Sequence, residues 1–245
     1  MSKREILVLV EGQVTDVKLM ERLLTAYGIY EEHQIVYYGT DVYSLYDALF
    51  RDKDGAAVLD LPLHLRSREA DPEKKEILSK HFSRILLVFD LDPQSTHFLP
   101  ERAKAMAEYF NDSTDMGLLY LNYPMIEAFF HIKSIPDPEY NEYTASLSEL
   151  RRKKETYKDR VSKESCITDR RGIIHNRNTC NIIIRHNLAK AWQITGEIPS
   201  MMIPVPSQSA ILQKQLETIY TDGKVSVLCT CCLYIVDYNP DFIQN

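Results

Sequence analysis

Short, continuous apolar runs that end directly in acidic residues constrain this chain more than any other feature. One run covers residues 4–10 and is followed by Glu11, and the clearest covers 84–89 and is followed by Asp90. Apolar runs without alternation are typical of strands that are buried on both faces, as in a parallel sheet covered by helices. The pattern therefore predicts an α/β fold in which acidic side chains stand at the ends of strands.

The segments between these runs alternate in character. A helix is predicted after Gly12, with Thr15 as its cap and Asp16 in its first turn. The polar segment 52–81, with a short strand-like piece at 56–61, is predicted to be an insertion or a mobile loop. The other predicted elements of this half are strands at 34–38 and 118–121 and helices at 42–50, 100–110 and 125–132. This order favours a mostly parallel sheet flanked by helices.

The composition changes after Pro138, where charged and helical patterns replace the strands. We therefore predict a catalytic domain at 1–135 and a mainly helical, basic C-terminal region at 136–245 that packs on it. Its predicted helices cover 142–163, 176–194 and 207–220. The apolar run 225–236 fits a helix or a strand, since periodicity alone does not separate the two.

Length and composition place the chain among ordinary globular proteins. It has 245 residues, of which 44% are hydrophobic, so a core can be buried. We expect a cytoplasmic protein, because the apolar start lacks the long core and cleavage site of a signal peptide. Its cysteines lack the spacing of zinc ligands, and we expect Cys229, Cys231 and Cys232 to be buried thiols.

Charge is distributed unevenly along the chain, whose formal net charge is −6. Residues 1–150 carry a net −11, residues 151–190 a net +8, and residues 191–245 a net −3. A basic block between two acidic segments can follow a phosphate backbone without reading sequence. A solvated helix face is the competing explanation of the same block.

The acidic residues at the strand ends predict a metal site. Ligands of open parallel sheets bind beyond the carboxyl ends of the strands. Glu11, Asp90 and Asp92 would meet there if their strands are neighbours, and in an extended segment the two aspartates point the same way. Oxygen ligands of this kind suit Mg²⁺, which retains several waters.

The same residues carry a resemblance to a known family. Glu11-Gly12-x-x-Thr15-Asp16 after one strand and Asp90-x-Asp92 after a later one resemble the Toprim domain of topoisomerases, primases and OLD-type nucleases. The segment 122–129, Asn-Tyr-Pro-Met-Ile-Glu-Ala-Phe, is similar to a segment of RloB-like defence proteins. It differs by one extra residue before the proline and by Phe129 in place of tryptophan. The resemblance covers residues 4–132.

The resemblance implies roles for individual residues. Glu11 would be a general acid/base or a metal ligand, and Asp90 and Asp92 would hold Mg²⁺, with Mn²⁺ as a substitute. Glu127 and Asp16 would complete a second metal site, although Glu127 also suits the first turn of a helix. The implied catalytic residues are Glu11, Asp90, Asp92 and Glu127.

The basic block supplies the predicted contacts to nucleic acid. We expect these contacts from Arg151, Arg152, Lys153, Lys154, Lys158, Arg170, Arg171 and Arg177. His175, His186 and Asn178 lie among these residues, and a surface or core role is favoured for them.

These observations together predict a Mg²⁺-dependent nuclease acting on DNA, tRNA or another RNA. The resemblance implies an effector of a bacterial anti-phage system, activated by a separate ATPase or sensor protein, since this chain has no phosphate-binding loop. A homo-oligomer is compatible with this role. The alternatives are a non-catalytic Toprim-type binding module and a phosphohydrolase of the haloacid-dehalogenase type; a glycosyltransferase or a nucleotidyl transferase has less support.

Overall fold

The computed structural model describes residues 5–50, 60–114, 116–167, 176–198 and 204–243. Within these ranges the chain is an α/β protein, as predicted, with a mostly parallel sheet flanked by helices. The five strands of this sheet are β1 (Glu5–Val10), β2 (His33–Tyr37), β3 (Phe82–Asp90), β4 (Asn111–Asp112) and β5 (Gly117–Asn122).

The strand order is β2-β1-β3-β5-β4. The first four of these strands run parallel, and the short edge strand β4 is antiparallel to β5. β1 and the second half of β3 are buried, which agrees with their continuous apolar sequences. The carboxyl ends of β1, β3 and β5 therefore lie side by side at one edge of the sheet.

Helices connect these strands. They are α1 (Thr15–Ala26), α2 (Val42–Phe50), α3 (Leu61–Arg68), α4 (Pro72–Ile77) and α5 (Pro100–Tyr109). α1 begins at Thr15 with Val14 in the capping position and without a side-chain cap, so the predicted capping role of Thr15 is wrong. The short carboxylate of Asp16 instead accepts a hydrogen bond from Gly12 N.

The polar segment 52–81, predicted to be an insertion or a mobile loop, contains two helices in its described part, which begins at residue 60. Asp60 caps α3 and Asp71 caps α4, and each helix has a proline in its first turn. Leu61, the last residue of the predicted strand 56–61, is the first residue of α3. Residues 56–59 of that predicted strand lie outside the described residues.

The region after β5 departs most from prediction. The predicted helix 125–132 is a 3₁₀ helix, Ile126–Phe130, and the predicted helix 142–163 is wrong. In its place the chain forms a 3₁₀ turn, a strand and two short helices. These are Tyr140–Glu142, β6 (Thr144–Ser146), α6 (Leu147–Leu150) and α7 (Tyr157–Glu164).

Local capping explains the break in this segment. Ser146 caps α6, and Thr156 with Asp159 forms a capping box at the start of α7. Strand β6 pairs with β7 (Lys224–Ser226), so a distant partner holds its extended backbone. The many charged residues of 142–163 predict one long helix, but these capping residues begin two separate helices within it.

The remaining helices agree with the predicted positions. α8 (Arg177–Thr195) and α9 (Gln208–Asp222) end at Gly196 and Gly223, both with positive φ. The final apolar run is divided between β7, the 3₁₀ helix Cys231–Leu233, and α10 (Tyr234–Tyr238), followed by the 3₁₀ helix Pro240–Ile243.

The C-terminal segment packs directly on the end of the sheet. Tyr123 and Leu228 exchange two backbone hydrogen bonds of 2.8 Å, and Thr230 Oγ1 donates to Leu121 O. One hydrophobic core contains side chains from both halves of the chain. The three neighbouring cysteines are buried, as predicted. No helix of the described residues is long and apolar enough to cross a membrane.

Candidate active site

The edge formed by β1, β3 and β5 brings the predicted acidic residues together. Asp90 N donates a 3.0 Å hydrogen bond to Glu11 Oε2, and Glu11 N donates to Val88 O. This contact follows from the register, in which Val10 pairs with Val88. Glu11 and Asp90, 79 residues apart in sequence, are therefore immediate neighbours.

Asp92 is placed by a bend rather than by an extended segment. The strand ends at Asp90, and Asp92 has a φ of 45°, in the left-handed region. Its amide donates to Pro124 O, and its Oδ1 accepts a 2.7 Å hydrogen bond from Gln94 Nε2. The predicted extended geometry of this pair is therefore wrong.

Asp16 reaches the cluster from the first turn of α1. Its side chain is buried, and its Oδ1 accepts a 3.1 Å hydrogen bond from Gly12 N. A Cβ at Gly12 would lie 2.7 Å from Asp16 Oδ2. Position 12 therefore needs glycine so that this carboxylate can approach the backbone.

Glu127 comes from the 3₁₀ helix after β5. It is buried, its Oε1 lies 3.1 Å from Lys158 Nζ, and its Oε2 has no hydrogen-bond partner among the described residues. An unpartnered buried carboxylate oxygen is costly unless something else binds it. A cation is one species that would satisfy it.

The electrostatics of the cluster favour a bound cation. Burial, with the charges of Asp92, Asp16 and Asp41, raises the pKa of Glu11 to about 8. Burial also raises the pKa of Asp90 strongly, and that of Asp16 and Asp92, with repulsion among the carboxylates adding to each. Without a counter-ion, the cluster holds protons that isolated carboxyl groups would release.

Lys158 is the basic side chain that α7 contributes to this cluster. Burial lowers its pKa, but the charges of Glu127, Asp90 and Asp92 outweigh burial and raise it. Its side chain remains 62% exposed. One lysine does not balance five carboxylates, so protons or a cation must offset the remaining charge.

Three residues at this edge were not predicted from sequence. Asn122 ends β5 and donates a 3.3 Å hydrogen bond from Nδ2 to Asp90 Oδ1 while accepting one from Cys231 N. Asp41 follows β2, and His97 lies 3.0 Å from it. Their positions just after strands were a usable signal for Asn122 and Asp41, but nothing local marks His97.

The residues that were predicted to contact nucleic acid lie in different structural environments. Residues 151–154 are exposed in the connection from α6 to α7, not on a helix. Arg177 stacks on Tyr27 and Phe242 and bonds to Phe242 O, which attaches the start of α8 to the 3₁₀ helix Pro240–Ile243. Arg170 and Arg171 lie outside the described residues.

Of the histidines and the asparagine in the basic block, the described members His186 and Asn178 make no contact with the acidic cluster. His186 Nε2 accepts a hydrogen bond from Asp137 N, and Asn178 is exposed at the start of α8. His175 lies outside the described residues.

The donors at this sheet edge are carboxylate oxygens, the ligand type that Mg²⁺ takes in proteins. In the part of the chain that is described, no group of three or more His, Cys, Asp or Glu side chains is arranged as a ready-made metal site. Mg²⁺ needs no such group, because it keeps several waters and takes one or two carboxylates. The raised pKa values and the free Glu127 oxygen fit such an ion.

Comparisons of this chain with protein-family models, with curated proteins and with solved structures gave no match.

Proposed function

We propose that this chain is a Mg²⁺-dependent nuclease with a Toprim-like catalytic domain. The observation that supports this most directly is the meeting of Glu11, Asp90 and Asp92 at one edge of a parallel sheet, with Asp16 and Glu127 beside them. In this proposal Asp90 and Asp92 hold the ion, and Glu11 is a third ligand or the base. Bound Mg²⁺ supplies charge neutralisation at the phosphoryl group and a more acidic water.

Basic residues beside the acidic cluster support the proposed binding of a polyanion. The carboxylates alone repel phosphate, and a bound divalent ion reverses the local potential. Lys158 stands beside the carboxylates with its side chain largely exposed, and residues 151–154 lie just before the same helix. Phosphates that follow this surface would be led towards the acidic cluster.

The biological setting rests on the family resemblance alone. Toprim-type nucleases of the OLD and RloB-like kinds suggest an anti-phage effector that works with a separate ATPase or sensor. The motifs that carry the resemblance are those of Glu11, Asp90-x-Asp92 and Glu127.

Cleavage of nucleic acid tests the proposal. Purified protein is incubated with duplex DNA, single-stranded DNA, tRNA and other RNA, with Mg²⁺, with Mn²⁺ and with EDTA. We expect metal-dependent cleavage that Glu11→Gln and Asp90→Asn reduce by at least about 10²-fold, the usual scale for losing one catalytic group. Glu108→Gln, at an exposed position on α5, is the matched control and should cleave like wild type.

Metal binding is measured separately, by Tb³⁺ luminescence with Mg²⁺ competition. Wild type and Glu108→Gln should bind, and Asp90→Asn should bind much more weakly. Binding without cleavage of any substrate, even with a partner present, would favour the non-catalytic module instead. Cleavage that persists in both acidic-site variants would remove the proposed site from the reaction.

A further inference from the structure

Asp41 is fixed at the same sheet edge as the acidic cluster. Strand β2 lies next to β1, and the segment leaving β2 is bonded to the candidate site, since Gly39 N donates a 3.0 Å hydrogen bond to Glu11 O. Asp41 Oδ1 accepts a 2.7 Å hydrogen bond from Ser44 N at the start of α2. This capping contact uses one carboxylate oxygen and leaves Oδ2 for another partner.

His97 takes that second oxygen. Its Nδ1 lies 3.0 Å from Asp41 Oδ2, and its backbone N donates to Ser95 Oγ. Ser95 N in turn donates to Asp92 O, so the loop that carries His97 is attached to the acidic cluster. The imidazole is therefore held by a carboxylate from a different segment of the chain.

The other ring nitrogen of His97 faces solvent. The side chain is 61% exposed, and Nε2 has no hydrogen-bond partner among the described residues. A histidine that donates Nδ1–H to a carboxylate presents Nε2 for proton transfer, and the carboxylate stabilises the imidazolium. This pair has that arrangement.

The pair is close enough to the cluster for electrostatic contact. The charge of Asp41 contributes to the raised pKa values of Glu11 and Asp92. Hydrogen bonds from His97 and Ser44 lower the pKa of Asp41 although its burial opposes them. The titratable groups on which the charge of Asp41 acts are thus Glu11 and Asp92, with Tyr38 and Tyr43, and Asp41 is ionised beneath the imidazole.

We propose that His97 is the general acid that protonates the leaving oxygen of the phosphodiester, with Asp41 as its positioning residue. The inference rests on the proposed function. A water oxygen forms a bond to phosphorus and loses its proton to solvent, while the bond from phosphorus to the leaving oxygen breaks. His97 Nε2–H gives its proton to that oxygen, and the imidazole then takes up a proton from solvent.

Leaving-group dependence tests this assignment. An alkoxide needs a proton to leave, whereas p-nitrophenolate does not. His97→Gln should slow cleavage of an oligonucleotide by about 10²-fold or more and leave hydrolysis of bis(p-nitrophenyl) phosphate nearly unchanged. His81→Gln is the matched control, because His81 is an exposed histidine that precedes the amino end of β3.

Asp41→Asn tests the positioning role, and asparagine preserves the helix cap. Loss of the carboxylate leaves the imidazole without its partner, so kcat for the oligonucleotide should fall while KM and the hydrolysis of bis(p-nitrophenyl) phosphate stay nearly unchanged. Oligonucleotide cleavage equal to that of wild type would remove Asp41 from the mechanism. A purely structural role for Asp41 would instead slow both substrates equally.

Failure of this inference is distinguishable from failure of the proposed function. If Glu11→Gln abolishes cleavage and His97→Gln cleaves both substrates like wild type, the nuclease stands and the general acid is overturned. Equal losses on both substrates also overturn it. If wild type hydrolyses neither substrate while binding metal normally, both proposals fall.

Discussion

Glu11 links the chemistry of the candidate site to the stability of the protein. Its carboxylate is confined between Asp90 N and the other acidic side chains, and burial with that repulsion raises its pKa to about 8. A proton or a cation must offset this charge in the folded state. In an unfolded chain the same carboxyl group ionises near its ordinary pKa of 4.5.

Glu11→Gln should therefore change how stability depends on pH in the absence of metal. Between about pH 4.5 and 8 the folded wild type keeps a proton that the unfolded chain releases, so rising pH destabilises it. The variant lacks this effect. The difference in unfolding free energy, wild type minus variant, should fall as pH rises, by at most about 1.4 kcal/mol per pH unit.

Urea unfolding in EDTA at several pH values between 5 and 8 measures this difference, with Glu108→Gln as the control. Curves for wild type and Glu11→Gln that stay parallel across the range would contradict the raised pKa. Added Mg²⁺ should stabilise wild type most at the high end of the range, where protons compete least.

The amino-acid sequence indicated the acidic side chains of the site, because they stand directly after long apolar strands. It did not identify His97, because its partner Asp41 lies 56 residues away and only the fold joins them. Lys190 is another example. It is buried, and burial lowers its pKa to about 7; its acceptors, Tyr140 O and Tyr143 O, lie 50 and 47 residues away in the sequence.

At the element scale, the pairing of β3 with β5 holds Asp90 beside Asn122. Gly117 begins β5 with a φ of 128°, and a Cβ there would lie 2.7 Å from Leu87 Cδ1 on β3. The packing of the Leu87 side chain over the start of β5 therefore depends on the absence of a side chain at position 117.

Gly117→Ala should destabilise the protein by about 2–4 kcal/mol, because backbone strain and overpacking add. Gly28→Ala is the control, since Gly28 also has a positive φ but its Cβ would meet nothing within 4 Å. Urea denaturation should show the larger loss of stability for Gly117→Ala. Equal losses would mean that the approach to Leu87 has no part in the effect.

The strands of the sheet were predicted more accurately than the elements that follow β5 in the sequence. The apolar runs of β1 and β3 are long enough to specify buried strands by themselves. The prediction of one helix over 142–163 was wrong because β6 pairs with β7, about 80 residues later in the sequence. That pairing has no local sequence pattern. Burial of α7 is likewise a tertiary effect: His131 is bonded to Tyr157 and Glu164 of that helix.

At the scale of the whole molecule, the net charge of −6 conceals two regions of opposite charge. The acidic cluster lies at the sheet edge, and α7 brings Lys158 to it from the basic block. When exposed lysines bind phosphates they release counterions, so they make affinity for nucleic acid depend on salt.

Lys153→Ala with Lys154→Ala should weaken binding to nucleic acid at low salt. The slope of log affinity against log salt should fall by about 1 for each phosphate that the variant no longer neutralises. Binding is measured by fluorescence anisotropy in the Glu11→Gln background, which prevents cleavage. The control is Lys214→Ala with Lys224→Ala, two lysines in ion pairs with Glu217 and Asp222. An equal change in slope for the two double variants would argue against a specific path through residues 153 and 154.

The α/β class and the acidic residues at strand ends were predictable from the amino-acid sequence, because continuous apolar runs and carboxylate chemistry are local properties. Tertiary structure decided which strands are neighbours. The fold therefore places Glu11 beside Asp90, Lys158 beside Glu127 and His97 beside Asp41. These interactions join residues far apart in the chain, and their energy depends on a desolvated environment that exists only after folding.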